Sequence, residues 1–205
     1  MYSKSHNLII GFHGCDRSIR DAIVMGAPMK PSTNPYDWLG SGFYFWENGL
    51  VRAMSFACEK QLRDQKAGKD TIKEPAVLGA VIDLGHCLDF INSTYLSLLG
   101  EVYAHLEALY RNFNIAMPRN IVTEKSFDLL LRYLDYDVVE LMVNLQEKKC
   151  NETFDSVRGV FWEGNEPYPN AGFREKNHIQ ICVRNPNCIK GFFIPRETIA
   201  EHKIP

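Results

Sequence analysis

Gly40-Ser41-Gly42-Phe43-Tyr44-Phe45-Trp46 is the stretch on which the reading of this chain turns. The two glycines let backbone approach another group closely. The aromatic run behind them has the composition of a short strand. Alternation puts Phe43 and Phe45 on one face and Tyr44 and Trp46 on the other. One core cannot take both pairs, so one pair faces something else.

On the N-terminal side, Leu8 to His13 reads as a first strand ending in Gly14-Cys15-Asp16. A histidine there can hydrogen-bond through either ring nitrogen, and the glycine admits a ligand next to the backbone. Asp16 is placed to cap a helix over Ser18 to Met25 with Ile19, Ala22, Ile23 and Ala27 on its apolar side. Gly26 stops it, and Pro28 to Trp38 is loop. On the C-terminal side, Asn48 is the expected start of a second helix. Val51, Met54, Ser55 and Cys58 are expected inward, and Arg52, Glu59 and Arg63 toward water. Lys66 to Glu74 is a charged turn. Ala76 to Leu84 is a buried strand in which Asp83 reads as a structural carboxylate.

The middle of the chain has helical spacing. Asn92-Ser93-Thr94 is a cap, followed by Leu96, Leu99, Tyr103, Leu106, Tyr110 and Phe113 at intervals of three and four. Further helices are expected after Thr123 and after Asp137, where Asp137 and Glu140 match a capping box. Strand signals return at Val160-Phe161-Trp162, at His178 to Arg184 and at Gly191 to Ile194. His178, Gln180 and Cys182 share one face of their strand; Ile179, Ile181 and Val183 share the other. The loop between, Glu163 to Asn177, is rich in aromatic and hydrogen-bonding residues, as binding loops are. Strands at both ends with helices between give an α+β fold. One domain is expected over residues 1–205, with a helical insertion at about 92–150.

Composition excludes several classes. Of 205 residues, 45% are hydrophobic and 23% charged, which is globular and not disordered. The net charge of −2 provides no global field toward nucleic acid or an anionic membrane. No apolar run is long enough to span a bilayer, and the polar start is unlike a signal peptide. Six irregularly spaced cysteines with no CxxC pair read as free thiols in a reducing cytoplasm. His178, Cys182 and Cys188 are close in sequence, but no metal centre is expected from them.

Taken in order, His13-Gly14, a helix, Gly40-Ser-Gly-Phe-Tyr-Phe and a helix carrying Ala53 and Ala57 resemble the NAD-binding half of the ADP-ribosyltransferases. The likeness is closest to the diphtheria-toxin and poly(ADP-ribose) polymerase branch. Its motif is a His-Gly, then Gly-x-Gly-x-Tyr-Phe, then a late strand that starts with Glu. The resemblance covers Leu8 to Ala57 well and His178 to Phe193 in shape. It implies a split mixed β-sheet core with an inserted helical block, and NAD as co-substrate with no metal.

By the same resemblance, His13 would hold the adenine-side ribose, and Gly14 and Gly42 would border the cofactor. Tyr44 would stack on nicotinamide. The glutamate is absent from the late strand; Gln180 or His178 stands in its place, and Gln180 is favoured because its amide can still bind a ribose hydroxyl. A carboxylate can come instead from Glu163, Glu166 or Glu175. Glu163, Glu166, Tyr168, Asn170, Phe173 and Arg174 are the candidate acceptor contacts. Glu47 is a further carboxylate near the nicotinamide side. The implied activity is transfer of ADP-ribose from NAD to a macromolecule, either a protein side chain or a base of single-stranded nucleic acid. The format resembles an intracellular toxin or defence effector, for which a neutralising antitoxin is the natural partner. An NAD glycohydrolase and a non-catalytic NAD or ADP-ribose module are the alternatives.

Overall fold

The computed structural model describes residues 8–122 and 128–197. Seven strands form one sheet: β1 (Leu8–Asp16), β2 (Phe43–Glu47), β3 (Pro75–Asp83), β4 (Cys87–Asp89), β7 (Ser156–Phe161), β8 (His178–Val183) and β9 (Ile189–Phe193). A separate ribbon is made by β5 (Asn120–Val122) and β6 (Leu129–Arg132). The helices are α1 (Arg17–Val24), α2 (Leu50–Lys66), α3 (Ser93–Asn112) and α4 (Tyr133–Cys150). The sheet order is β4-β7-β8-β2-β1-β3-β9. The β4–β7 pair is parallel and the others antiparallel, so the sheet is mixed.

The sheet is narrow at its middle. β1 pairs with β3 along its whole length, from Leu8 opposite Asp83 to Asp16 opposite Pro75. β2 pairs with β8 over Phe43 to Trp46. Between β1 and β2 only Gly11–Glu47 and Phe12–Trp46 pair. Past that point no ladder joins the two strands.

Both faces of β2 are covered, each by its own core. Phe43 and Phe45 join Ala80, Ile82, Ile181 and Val183. Tyr44 and Cys182 belong to the other side, with Leu88, Met142, Val143 and Phe161 under α3 and α4. The alternation expected for β2 and β8 is what separates these two cores. It also parts the cysteines near His178: Cys182 belongs to one core and Cys188 to the other.

Capping follows the sequence at two helices. The Asp16 carboxylate accepts from Ser18 N, and Asn92 Oδ1 accepts from Thr94 N. Asp16 also accepts from Lys73 N and Glu74 N. The Ser18 hydroxyl and these backbone donors hold its carboxyl well below the usual carboxylate range.

Several expectations are corrected. α2 is capped at Gly49, not Asn48, and its buried face is Ala53 and Ala57. Val51 is 78% exposed, and Met54 also reaches solvent, while the Arg52 side chain turns inward at 16% exposure. The reason is close approach: a Cβ on Gly14 would lie 2.2 Å from the Ala53 carbonyl oxygen. Backbone contact of that kind selects small residues, not large apolar ones.

The middle block is likewise not all helix. The start expected at Thr123 falls outside the described residues, and β5 and β6 lie on either side of it. Asp137 and Glu140 form no capping box, because α4 begins at Tyr133. Asp137 instead accepts from the Tyr110 hydroxyl. Glu140 accepts from Ser41 N and from Arg184 Nη1, both at 2.8 Å, and so ties α4 to the Gly40-Ser41 turn and the end of β8. Finally, Trp162 lies beyond β7, with its side chain half exposed.

Candidate functional site

Where β1 and β2 part, His13 fills the gap with a side-chain bond. Its Nδ1 lies 2.9 Å from the Tyr44 carbonyl oxygen. A carbonyl only accepts, so Nδ1 carries the proton and Nε2 presents a lone pair. Burial lowers the ring's pKa and the carbonyl bond opposes that, leaving His13 neutral. Strand alternation directs His13 toward Phe45, with ring centroids 6.1 Å apart. His178 and Gln180 lie on the opposite face, with Tyr44 and Trp46. The structure therefore does not bring His13 onto one face with His178 and Gln180.

The Tyr44 ring packs against the core under α3 and α4. Its hydroxyl donates to Gly40 O at 2.7 Å and accepts from Leu39 N at 3.0 Å, closing the turn that precedes β2. Burial pushes the phenol's pKa well up. The close approach permitted by the glycines is also used within the protein. Gly14 lies against Ala53, and a Cβ on Gly42 would meet Val183 O at 2.5 Å. Glu47 is held by Arg158 in a two-point contact, 2.6 Å from Nε and 2.8 Å from Nη2, and Arg158 Nη1 reaches Asp89 at 3.0 Å.

The start of β8 gathers a set of polar groups. His178 Nδ1 lies 2.6 Å from Lys176 O and so bears the proton. The ring is surrounded by Phe161 at 5.5 Å, Trp46 at 6.3 Å and Trp38 at 6.4 Å between centroids. Burial in this aromatic setting brings its pKa down to about 4; Arg52 and Arg132 push the same way. Gln180 Oε1 accepts from Trp38 Nε1 at 2.9 Å. Glu163, only 9% exposed, lies between two arginines: Arg52 Nη2 at 3.6 Å and Arg132 Nη2 at 3.5 Å. Burial raises the Glu163 pKa and the two guanidinium groups oppose it. Arg52 Cζ lies 5.6 Å from the Trp46 ring centroid, and Arg132 Cζ lies 3.9 Å from that of Trp38.

The remaining acceptor candidates lie further out on the loop. Glu166 pairs with Arg174 at 3.3 Å and accepts from Asn170 N. Arg174 stacks over Trp162 at 4.3 Å. Tyr168 and Phe173 are more than half exposed. Asn170 has φ +62°, the left-handed region that asparagine tolerates. Beside this loop opens a cleft of about 860 Å³ between α3, α4 and β7. Its walls include Leu96, Leu99, Tyr103, Arg132, Phe161 and Trp162. The three-four stripe of α3 thus serves partly as a cleft wall, which explains the exposure of Leu96 and Tyr103.

Sequence reading missed Arg52, Arg132 and Trp38. The signal for Arg52 was present: with Ala53 and Ala57 against the sheet, its neighbour on the helix is turned partly inward. Arg132 and Trp38 carry no periodic signal.

No family model matches the chain, and no solved structure matches it. An uncharacterised protein of Methanocaldococcus jannaschii is 25% identical over 195 residues, covering 87% of this chain and 83% of its own.

Proposed function

We propose that the protein transfers ADP-ribose from NAD to a macromolecular acceptor. The observation that carries this reading is the parting of the sheet. Its halves meet through two residue pairs, and neutral His13 bridges to the Tyr44 carbonyl where the ladder ends. A further support is the pairing of β8 with β2 across 134 positions of sequence, which gathers His178, Gln180, Arg52 and Glu163 at one end of the late strand.

In this reading the bond between nicotinamide and ribose breaks and its electron pair leaves with nicotinamide. The ribose carbon becomes oxocarbenium-like, as in glycoside cleavage. The acceptor nucleophile bonds to that carbon and gives its proton to a base. Glu163 is the carboxylate best suited to both tasks, stabilising the cation and taking the proton. It is buried, which raises its pKa, and its two arginines oppose that rise. Gln180, already bound to Trp38, holds position and transfers no proton.

The test is incubation with labelled NAD and a cell extract, divided between protease and nuclease treatment. Label should enter one fraction, and Glu163→Gln and His13→Ala should lose it. Release of nicotinamide without macromolecular label would replace the transferase with a glycohydrolase. Intact NAD in the presence of extract would overturn both.

A further inference from the structure

Among the described residues, four buried side-chain polar atoms lack a hydrogen-bond partner: Trp46 Nε1, Arg52 Nε, Arg52 Nη1 and His178 Nε2. They belong to three neighbouring side chains. Trp46 and His178 have ring centroids 6.3 Å apart, and Arg52 Cζ lies 5.6 Å from the Trp46 ring. Trp46 itself is 96% buried, being 4% exposed. Buried polar groups are nearly always satisfied, so three in one place point to a missing partner.

The chemistry of that partner can be read from the atoms. Trp46 and Arg52 supply N–H donors. His178 supplies the opposite, because Lys176 O fixes the proton on Nδ1 and leaves a lone pair on Nε2. A bare anion would satisfy the donors but set its charge against that lone pair and beside Glu163. A hydroxyl matches both halves: its hydrogen goes to Nε2 and its lone pairs accept from the nitrogens. Two adjacent hydroxyls use all three donors. We propose that Trp46, Arg52 and His178 form a binding site for the paired hydroxyls of a sugar. This inference rests on the reading above and names which residues hold the ribose of the donor. The loop Glu163 to Asn177 flanks the cluster and is held to α2 on its outer side by the exposed Lys176–Glu59 pair at 2.8 Å. Exposed pairs of this kind open readily.

The test is calorimetric titration of wild type, Trp46→Phe and Arg52→Lys with NAD, ADP-ribose, D-ribose and inorganic phosphate. A thermal melt of each variant checks folding. NAD and ADP-ribose should bind the wild type, and each substitution should weaken them about tenfold, the size of one lost buried hydrogen bond. Equal binding by folded variants would overturn the site and mean that water fills it, while leaving the transferase reading intact. Displacement of D-ribose by phosphate would overturn the hydroxyl chemistry in favour of an anion. Trp46-dependent binding of ADP-ribose or D-ribose without NAD turnover would keep the site and overturn the transferase. No binding of any sugar probe to folded wild type would overturn both.

Discussion

The two polar regions beside β7 and β8 are built on opposite terms. At the start of β8, Trp46, Arg52 and His178 are packed closed, with donors and an acceptor unmet. In the cleft beneath α3 and α4 there is about 860 Å³ of space, but its charged groups answer one another: Arg132 pairs with Asp135 and Glu163, and Arg174 with Glu166. The closed region has polar demand that the protein itself does not meet. The open region has room without polar demand. Unmet buried groups select a ligand by its hydrogen-bonding pattern; an apolar cleft selects by shape and bulk. In the proposed transfer reaction the donor needs the first and a variable acceptor suits the second, which would divide the two substrates between the two regions.

The largest expected effect is on what closes the first region. Gly14→Val would drive a side chain into the Ala53 carbonyl and lever α2, with Arg52, away from the sheet. It should destabilise by about 3 kcal/mol or more, read by urea unfolding. A near-neutral result would mean that α2 is not anchored there.

Next is pH. His178 titrates near its ordinary 6.5 when unfolded and at about 4 when folded. Above pH 6.5 both states are neutral and the residue contributes no slope. Between 6.5 and about 4 the unfolded chain takes up a proton that the folded chain refuses, so stability falls as pH drops. The loss should reach about 3 kcal/mol. His178→Asn should flatten that part of the profile; an unchanged slope would deny the burial of the ring.

Arg132 joins the two regions, and Arg132→Ala should cost about 2 kcal/mol through the lost contact with Trp38 and the loss of one of Glu163's two arginines. With one guanidinium gone, the Glu163 pKa rises, so the acid limb of the transfer rate should move to higher pH. A limb that stays in place would remove Glu163 from the reaction. The smallest effect is in the open region. Trp162→Ala should change stability by no more than about 0.5 kcal/mol and leave NAD binding intact, yet lower labelling of the acceptor. Equal labelling would detach the cleft from acceptor recognition.

Much of the frame was legible. Period-two alternation assigns the faces of β2 and β8 without reference to a partner strand, and Asp16 and Asn92 announce their helices through their side chains. The face of α2 was not legible from hydropathy, because its seat is a backbone-to-backbone approach at Gly14 that favours Ala53 and Ala57 over Val51 and Met54. The β5–β6 ribbon was missed because strands of three and four residues are too short to show a period. The polar cluster escaped for another reason. Trp38, Trp46, Arg52, Arg132, Glu163 and His178 come from six separate segments that meet only in the folded chain, Trp46 and His178 through the pairing of β2 with β8.

The most direct test of this division uses the indole N–H signals of the three tryptophans. In ¹⁵N-labelled protein, Trp46→Phe identifies one of them. Addition of NAD should shift the Trp46 signal, whose N–H gains a partner, and leave Trp162 in the cleft unmoved. A shift of Trp162 alone, or no shift at saturating NAD, would contradict the account.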